Sequence, residues 1–288
     1  MNRTGLAIAL LVAALVGGVF AVYPRLDLDI SAAFFDRATS MFVVNAQLWV
    51  QHSRDAARLI VTALVAPAAL AVIGKVLLPH HRMLITGRAA LFLALTLALG
   101  PGMLTNTLLK DHWGRVRPID VVEFGGAGAF TPWWDPRGAC PNNCSFIAGE
   151  PAAAFWTLAP AVLAPPQWRV LATAGALAFG SGVGVLRIAG GGHFFTDVVF
   201  AGVSIYLLIV AVYGLLYRWP AARRLDGVIE HRLARIGDAL YAACGRITGR
   251  ERHGAFAPGQ LPEQLASLPH APIVRAASND GPGPGQDL

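Results

Sequence analysis

The sequence predicts an all-α, polytopic membrane protein with six transmembrane helices. Three observations carry that prediction. Of 288 residues, 55% are hydrophobic and only 14% are charged, against roughly 25% charged in a soluble domain. Several stretches of about 20 apolar residues, enough to cross a bilayer core, are nearly free of charge. Polar residues gather in the segments between them.

In chain order the predicted spans are residues 5–23, 56–78, 88–109, 149–164, 170–188 and 194–217. The first, "GLAIALLVAALVGGVFAVY", lacks a small-x-small cleavage site and is read as a retained span rather than a secretory signal. Residues 24–55 mix aromatics with acids, and a short interfacial helix is expected there. Residues 1–218 form the membrane domain on this reading. From 219 to 252, Leu225, Val228, Ile229, Leu233, Ile236 and Leu240 recur at near-helical spacing among arginines. That pattern predicts an amphipathic helix on the inner leaflet, with a partner-binding helix as the competing reading. Residues 253–288, rich in Pro, Gly and polar side chains, are expected to be a disordered tail.

Basic residues set the orientation. Arg3, Arg82, Arg88 and Arg169 fall on one side, with the run Arg218, Arg223, Arg224, Arg232 and Arg235. The positive-inside bias makes that side cytoplasmic, with both termini on it. The net charge of +6 then suits anionic lipid head groups. No basic-aromatic module accompanies it, so nucleic acid is not an expected partner. Loops at 24–55, 110–148 and 189–193 face outward. Cys140 and Cys144 lie on this face. An oxidising outer side would permit a disulfide between them, while two cysteines are too few for a structural zinc site.

Three polar clusters fall on the outward boundary: "KDHWGRVRP" at 110–118, "CSFIAGE" at 144–150 and "LRIAGGGHFFTD" at 186–197. In the first, Lys110, Arg115 and Arg117 put three cations within eight residues. Arginine forks match phosphate oxygens and lysine adds a point charge. Snorkelling toward head groups is the competing explanation. In the third, His193 and Asp197 are four apart and share a helix face. Asp197 can accept one ring N–H and leave the other nitrogen free as a nucleophile; a pair that merely satisfies itself between helices is the alternative. Gly190, Gly191 and Gly192 would let backbone amides approach an anion.

Together the clusters resemble the type 2 phosphatidic acid phosphatase family of membrane lipid phosphatases. The first motif of that family, K-x6-R-P, is matched by Lys110, Arg117 and Pro118. The third, an arginine, five residues, a histidine, three residues and an aspartate, is matched by Arg187, His193 and Asp197, with Leu186 where a serine usually stands. The resemblance implies a phosphatase that needs neither metal nor other cofactor. His193 would be the nucleophile and form a phosphohistidine, and Asp197 would orient it. Lys110, Arg117, Arg187 and the backbone of Gly149 would bind the phosphoryl group. The implied substrate is a lipid phosphate or diphosphate at the outer leaflet of a bacterial inner membrane, with the site facing the periplasm. A phosphotransferase of the same fold and a non-catalytic lipid-phosphate binder are the alternatives. The "NCSF" stretch is similar to the lipid A 1-phosphatase-like group.

The second motif departs from the family. Where Pro-Ser-Gly-His is usual, this chain has Ile147, Ala148, Gly149 and Glu150. Glu150 then has three readings: a replacement general acid, a structural partner of a site arginine, or the mark of an impaired site. His112, in the first cluster, is a rival acid.

Overall fold

The computed structural model describes residues 3–247. Among them, five helices are long and apolar enough to cross a membrane. The first helix, α1 (Arg3–Val22), leaves Leu10, Leu11 and Leu15 exposed and buries Gly17 and Phe20. The Phe20 ring stacks on Phe195 at 5.4 Å. A short helix, α2 (Leu26–Ala32), follows in the segment expected to hold an interfacial helix, but its Asp27 is buried. Strands β1 (Phe35–Asp36) and β2 (Met41–Phe42) pair antiparallel, Phe35 opposite Phe42.

The second long helix, α3 (Leu48–Leu77), begins eight residues before the predicted span. Its polar first turns, "LWVQHSRD", therefore belong to the helix and not to the preceding loop. The third, α4 (Gly87–His112), starts at Thr86, whose hydroxyl accepts from the Ala89 N–H at 3.3 Å, a standard N-cap. From Ala98 to Leu109 it is wound as a wider π-helix around Pro101, and the Asn106 amide donates to the Pro101 carbonyl at 2.7 Å.

The predicted fourth span is two short helices, α5 (Gly149–Phe155) and α6 (Leu158–Leu163). Pro160 explains the break: it has no N–H to give the Trp156 carbonyl one turn back, and its ring would collide there. The pair is largely buried, and Trp156 donates to Thr96 at 2.9 Å. Next come α7 (Pro166–Ala189), opened by proline at its first position, and α8 (Phe195–Tyr213). Gly180 lies against the Phe155 ring and Gly184 against Val198; a Cβ at either would sit within 2.4 Å of those side chains. Bare backbone thus lets α5, α7 and α8 pack closely, as small residues do between membrane helices.

The last described helix, α9 (Leu225–Ile247), follows the predicted amphipathic stretch. Asp226 bonds the Arg88 N–H at 2.7 Å and its Nε at 2.6 Å, and Tyr241 donates to the Leu77 carbonyl. One face of α9 therefore rests on the ends of α3 and α4, while Val228, Ile236 and Leu240 stay exposed. The chain divides into a unit of residues 1–241 and a second from 242. The tail expected to be disordered lies outside the described residues.

Candidate active site

The three polar segments converge at one end of the helices, and backbone bonds fix them together. The Cys144 N–H donates to the Lys110 carbonyl at 2.9 Å, Ser145 N–H to Arg115 at 2.7 Å and Ala148 N–H to Asp197 at 3.2 Å. The three clusters predicted to share one boundary are therefore in direct contact.

His193 is 2% exposed. Its Nδ1 lies 2.7 Å from the Ser145 carbonyl, which can only accept, so Nδ1 carries the proton and Nε2 is left with a free lone pair. Burial pushes the His193 pKa down; Asp197 opposes this, while the Arg187 and Arg117 cations add to it. The net effect favours a neutral ring.

Asp197 stands 3.8 Å from His193 Nδ1. Its carboxylate accepts from Ser145 Oγ at 2.5 Å, from the Phe194 N–H at 2.8 Å and from Arg115 Nη1 at 2.5 Å. The shortest bond to the ring is thus the Ser145 carbonyl, and Asp197 supports it from one step behind.

Arg115 does not join the anion site. It is fully buried and donates to Asp197, to Thr196 Oγ1 at 2.8 Å, to Asp27 at 2.8 Å and to the Thr131 carbonyl at 2.9 Å. Its guanidinium also lies over the Phe194 ring at 4.3 Å. One guanidinium is shared by two carboxylates, which leaves one negative charge in excess, and hydrogen bonds from Thr196 and Ser145 help to hold the pair in place.

The other cations remain oriented toward a shared space. Arg187 is 8% exposed, and its buried Nε has no hydrogen-bond partner among the described residues; a carboxylate oxygen of Glu150 is 3.6 Å away. Lys110 Nζ lies against the bare backbone of Gly149, where a Cβ would come within 3.4 Å of it. Arg117 donates from Nε and Nη2 to the Asn143 carbonyl and from Nη2 to its Oδ1, at 2.8–3.1 Å. Asn143 sits at a left-handed φ of 49° and its N–H is held by Asp111. Cys140 and Cys144 flank it as a disulfide, Cα atoms 5.7 Å apart.

The glycines act differently from expectation. The N–H groups of Gly190, Gly191 and Gly192 bond the carbonyls of Leu186, Ile188 and Arg187 at 2.9–3.0 Å. They close the C-terminus of α7 and are not available to an anion. Gly191 has φ +67° and carries the Phe42 ring against it, a conformation glycine adopts freely. At Gly192 a Cβ would fall 2.3 Å from Arg187 Nη2, so the bare backbone leaves room for the guanidinium.

Glu150 is paired. Arg54, from α3, forks its carboxylate: Nε to Oε2 at 3.0 Å and Nη2 to Oε1 at 2.6 Å. A carboxylate facing two guanidiniums suits the reading of Glu150 as an arginine partner. His112 turns back onto its own helix, Nδ1 3.0 Å from the Leu108 carbonyl, and is exposed. Reasoning from sequence missed Arg54, Asp27 and Ser145. An arginine near the mouth of an apolar span, as Arg54 is, was the one available signal, since ionisable groups at such places pair.

Comparison with known proteins fits this geometry. Residues 89–221 match the PAP2 superfamily. Over 219 residues the chain is 31% identical to the lipid A 4'-phosphatase of Francisella tularensis subsp. novicida (strain U112), covering 76% of this chain and 98% of that relative. The chain belongs to the PAP2 superfamily. This is the family of the resemblance drawn from the motifs. The lipid A 4'-phosphatase of Rhizobium leguminosarum is 37% identical over 120 residues, 42% of this chain and about half (52%) of the relative. That of Rhizobium etli (strain ATCC 51251 / DSM 11541 / JCM 21823 / NBRC 15573 / CFN 42) is 34% identical over 119 residues, 41% and 46% respectively. These relatives bear 4'-phosphatase names, whereas "NCSF" had pointed to the 1-phosphatase-like group. No solved structure matches the chain.

Proposed function

We propose that this PAP2 protein is a lipid phosphatase of a bacterial inner membrane, hydrolysing a phosphomonoester on a lipid A-type glycolipid. One observation carries the reading: a buried histidine, its Nδ1 proton held by the Ser145 carbonyl, shares its end of the fold with Arg187, whose buried Nε has Glu150 at 3.6 Å but no hydrogen bond. A buried guanidinium nitrogen whose hydrogen bond is unmade has room for an anion to accept it.

In this mechanism the phosphoryl oxygens lie on Arg187, Lys110, Arg117 and the Gly149 N–H. The His193 Nε2 lone pair attacks phosphorus, the P–N bond forms and the P–O bond to the leaving alcohol breaks. Asp197 and the Ser145 carbonyl stabilise the cationic phosphoimidazole. The fixed cations meet the charge that develops on the equatorial oxygens. Water then attacks phosphorus, phosphate leaves and the ring regains its lone pair. The leaving alkoxide needs a proton, from Glu150 or from water. The Arg54 fork favours water, with Glu150 as counter-ion. The 15-residue α5 and α6 pair completes a six-segment bundle on this reading, with the site periplasmic and both termini cytoplasmic.

The test is phosphate release from a panel: a 4'-phosphorylated disaccharide lipid, its 1-phosphorylated isomer, phosphatidate and polyprenyl diphosphate. Turnover highest on the first, and lost in His193→Ala with lipid binding kept, is the expected result. An active His193→Ala removes the nucleophile assignment. Binding without turnover on every lipid makes the chain a lipid-phosphate binder. Phosphoryl transfer to an added alcohol in place of release makes it a phosphotransferase.

A further inference from the structure

Two loops beside the phosphoryl site border an open cleft of about 550 Å³. One loop is the stretch from Val116 to Gly128, the other the disulfide-closed turn through Pro141, Asn142 and Asn143. Arg117 lines this cleft and is also one of the cations assigned to the phosphoryl group. The volume falls within the roughly 300–1,000 Å³ usual for small-ligand sites. Its wall is mixed. Val116 and Pro141 supply apolar surface; Asp120, Asn142 and Asn143 supply a carboxylate and two amides.

The chemistry of that wall selects among head groups. A quaternary ammonium would need aromatic faces, and the cleft offers none while Arg117 would repel it. A second phosphate would need cations in addition to Arg117. A neutral ring bearing several hydroxyls fits instead: a carboxylate accepts from hydroxyl donors, amides both donate and accept, and the C–H face of a pyranose packs on Val116 and Pro141. The loops are anchored for the purpose. Arg117 is tied to Asn143 and Asn143 to Asp111, and the Gly128 N–H donates to the Asp120 carbonyl at 2.8 Å.

We infer that this cleft is a sugar subsite, holding the pyranose ring that carries the scissile phosphate, with Asp120 and Asn142 as its specificity-determining residues. The inference rests on the proposed phosphoryl site, since Arg117 is the hinge between the two.

The experiment uses the full chain in detergent and calorimetric binding of two soluble probes, glucose 4-phosphate and glycerol 3-phosphate. The wild type is expected to bind the sugar phosphate at least tenfold more tightly. In Asp120→Ala and Asn142→Ala, both exposed positions, that margin should shrink to less than threefold while glycerol 3-phosphate affinity stays unchanged. Ala127→Phe, which fills the cleft from its rim, should do the same. Equal affinities in the wild type, or a margin that survives all three substitutions, overturns the subsite. Turnover on the lipid panel is measured in parallel. A retained sugar margin without turnover keeps the subsite and removes the phosphatase reading; turnover without a sugar margin does the reverse.

Discussion

Glu150 binds Arg54 across 96 residues of sequence, one carboxylate oxygen to Nε at 3.0 Å and the other to Nη2 at 2.6 Å. The family motif puts a proton-donating histidine at this place; here an ion pair occupies it. The consequence is measurable. Glu150→Gln should raise KM several-fold by loosening Arg54 and Arg187, and leave the shape of the pH profile of kcat unchanged. Loss of the alkaline limb in Glu150→Gln would return Glu150 to the role of acid. The charge-reversed double variant Arg54→Glu with Glu150→Arg should recover part of either single loss. A coupling of about 1 kcal/mol is expected for a part-exposed bidentate pair.

The state of His193 sets the acid limb. Burial holds its pKa below the ordinary 6.5, and only the neutral ring has a lone pair on Nε2. Activity is therefore present above the lowered pKa and lost as pH falls through it. A profile of kcat/KM against pH should stay flat below pH 6.5 before dropping. An apparent acidic pKa at or above 7 would contradict the buried environment.

Gly192 tests the arginine cradle. A methyl group there meets the Arg187 guanidinium, which must shift away from the phosphoryl position. Gly192→Ala should raise KM for any phosphate ester at least tenfold with helical content preserved by circular dichroism. Unchanged KM would show that Arg187 does not need its present position.

Arg115 carries the largest expected effect on stability. Arg115→Ala leaves Asp27 and Asp197 buried without their shared cation, a loss of about 3–5 kcal/mol, read as a steep fall in thermal midpoint in detergent. Asp27→Asn keeps the shape and removes one charge, and should cost less. A midpoint unchanged by Arg115→Ala would rule out the buried network.

Chelation should leave turnover intact, because Lys110, Arg117 and Arg187 supply the positive charge that a metal supplies elsewhere. Turnover abolished by a chelator and restored by a divalent cation would refute that assignment.

Much of this was legible in sequence where it depended on local pattern. Charge depletion marked α1, α3, α4, α7 and α8, and the spacing of Lys110, Arg117, Arg187, His193 and Asp197 marked the cluster that folds together. What stayed hidden was pairing between distant segments. Arg115 sits two residues from Arg117 in the same cationic run, and only packing sends one inward to two carboxylates and the other to Asn143. Nothing local to Glu150 announces Arg54, and the glycine run before His193 reads equally well as an anion cradle or a helix stop. Pro160 was a readable break in the fourth span, but hydrophobic continuity outweighed it.

Asp27 follows the first helix, and its cation, Arg115, lies 88 residues further along the chain. At ribosomal rates of about 5–20 residues per second, that acid waits roughly 4–18 s for its counter-charge. Until the loop beyond α4 has been made, Asp27 has no cation to neutralise it. Its other partner, Thr196, comes later still, 169 residues after Asp27, so a short helix among the first to be made is completed only when the last of the five long apolar helices has begun.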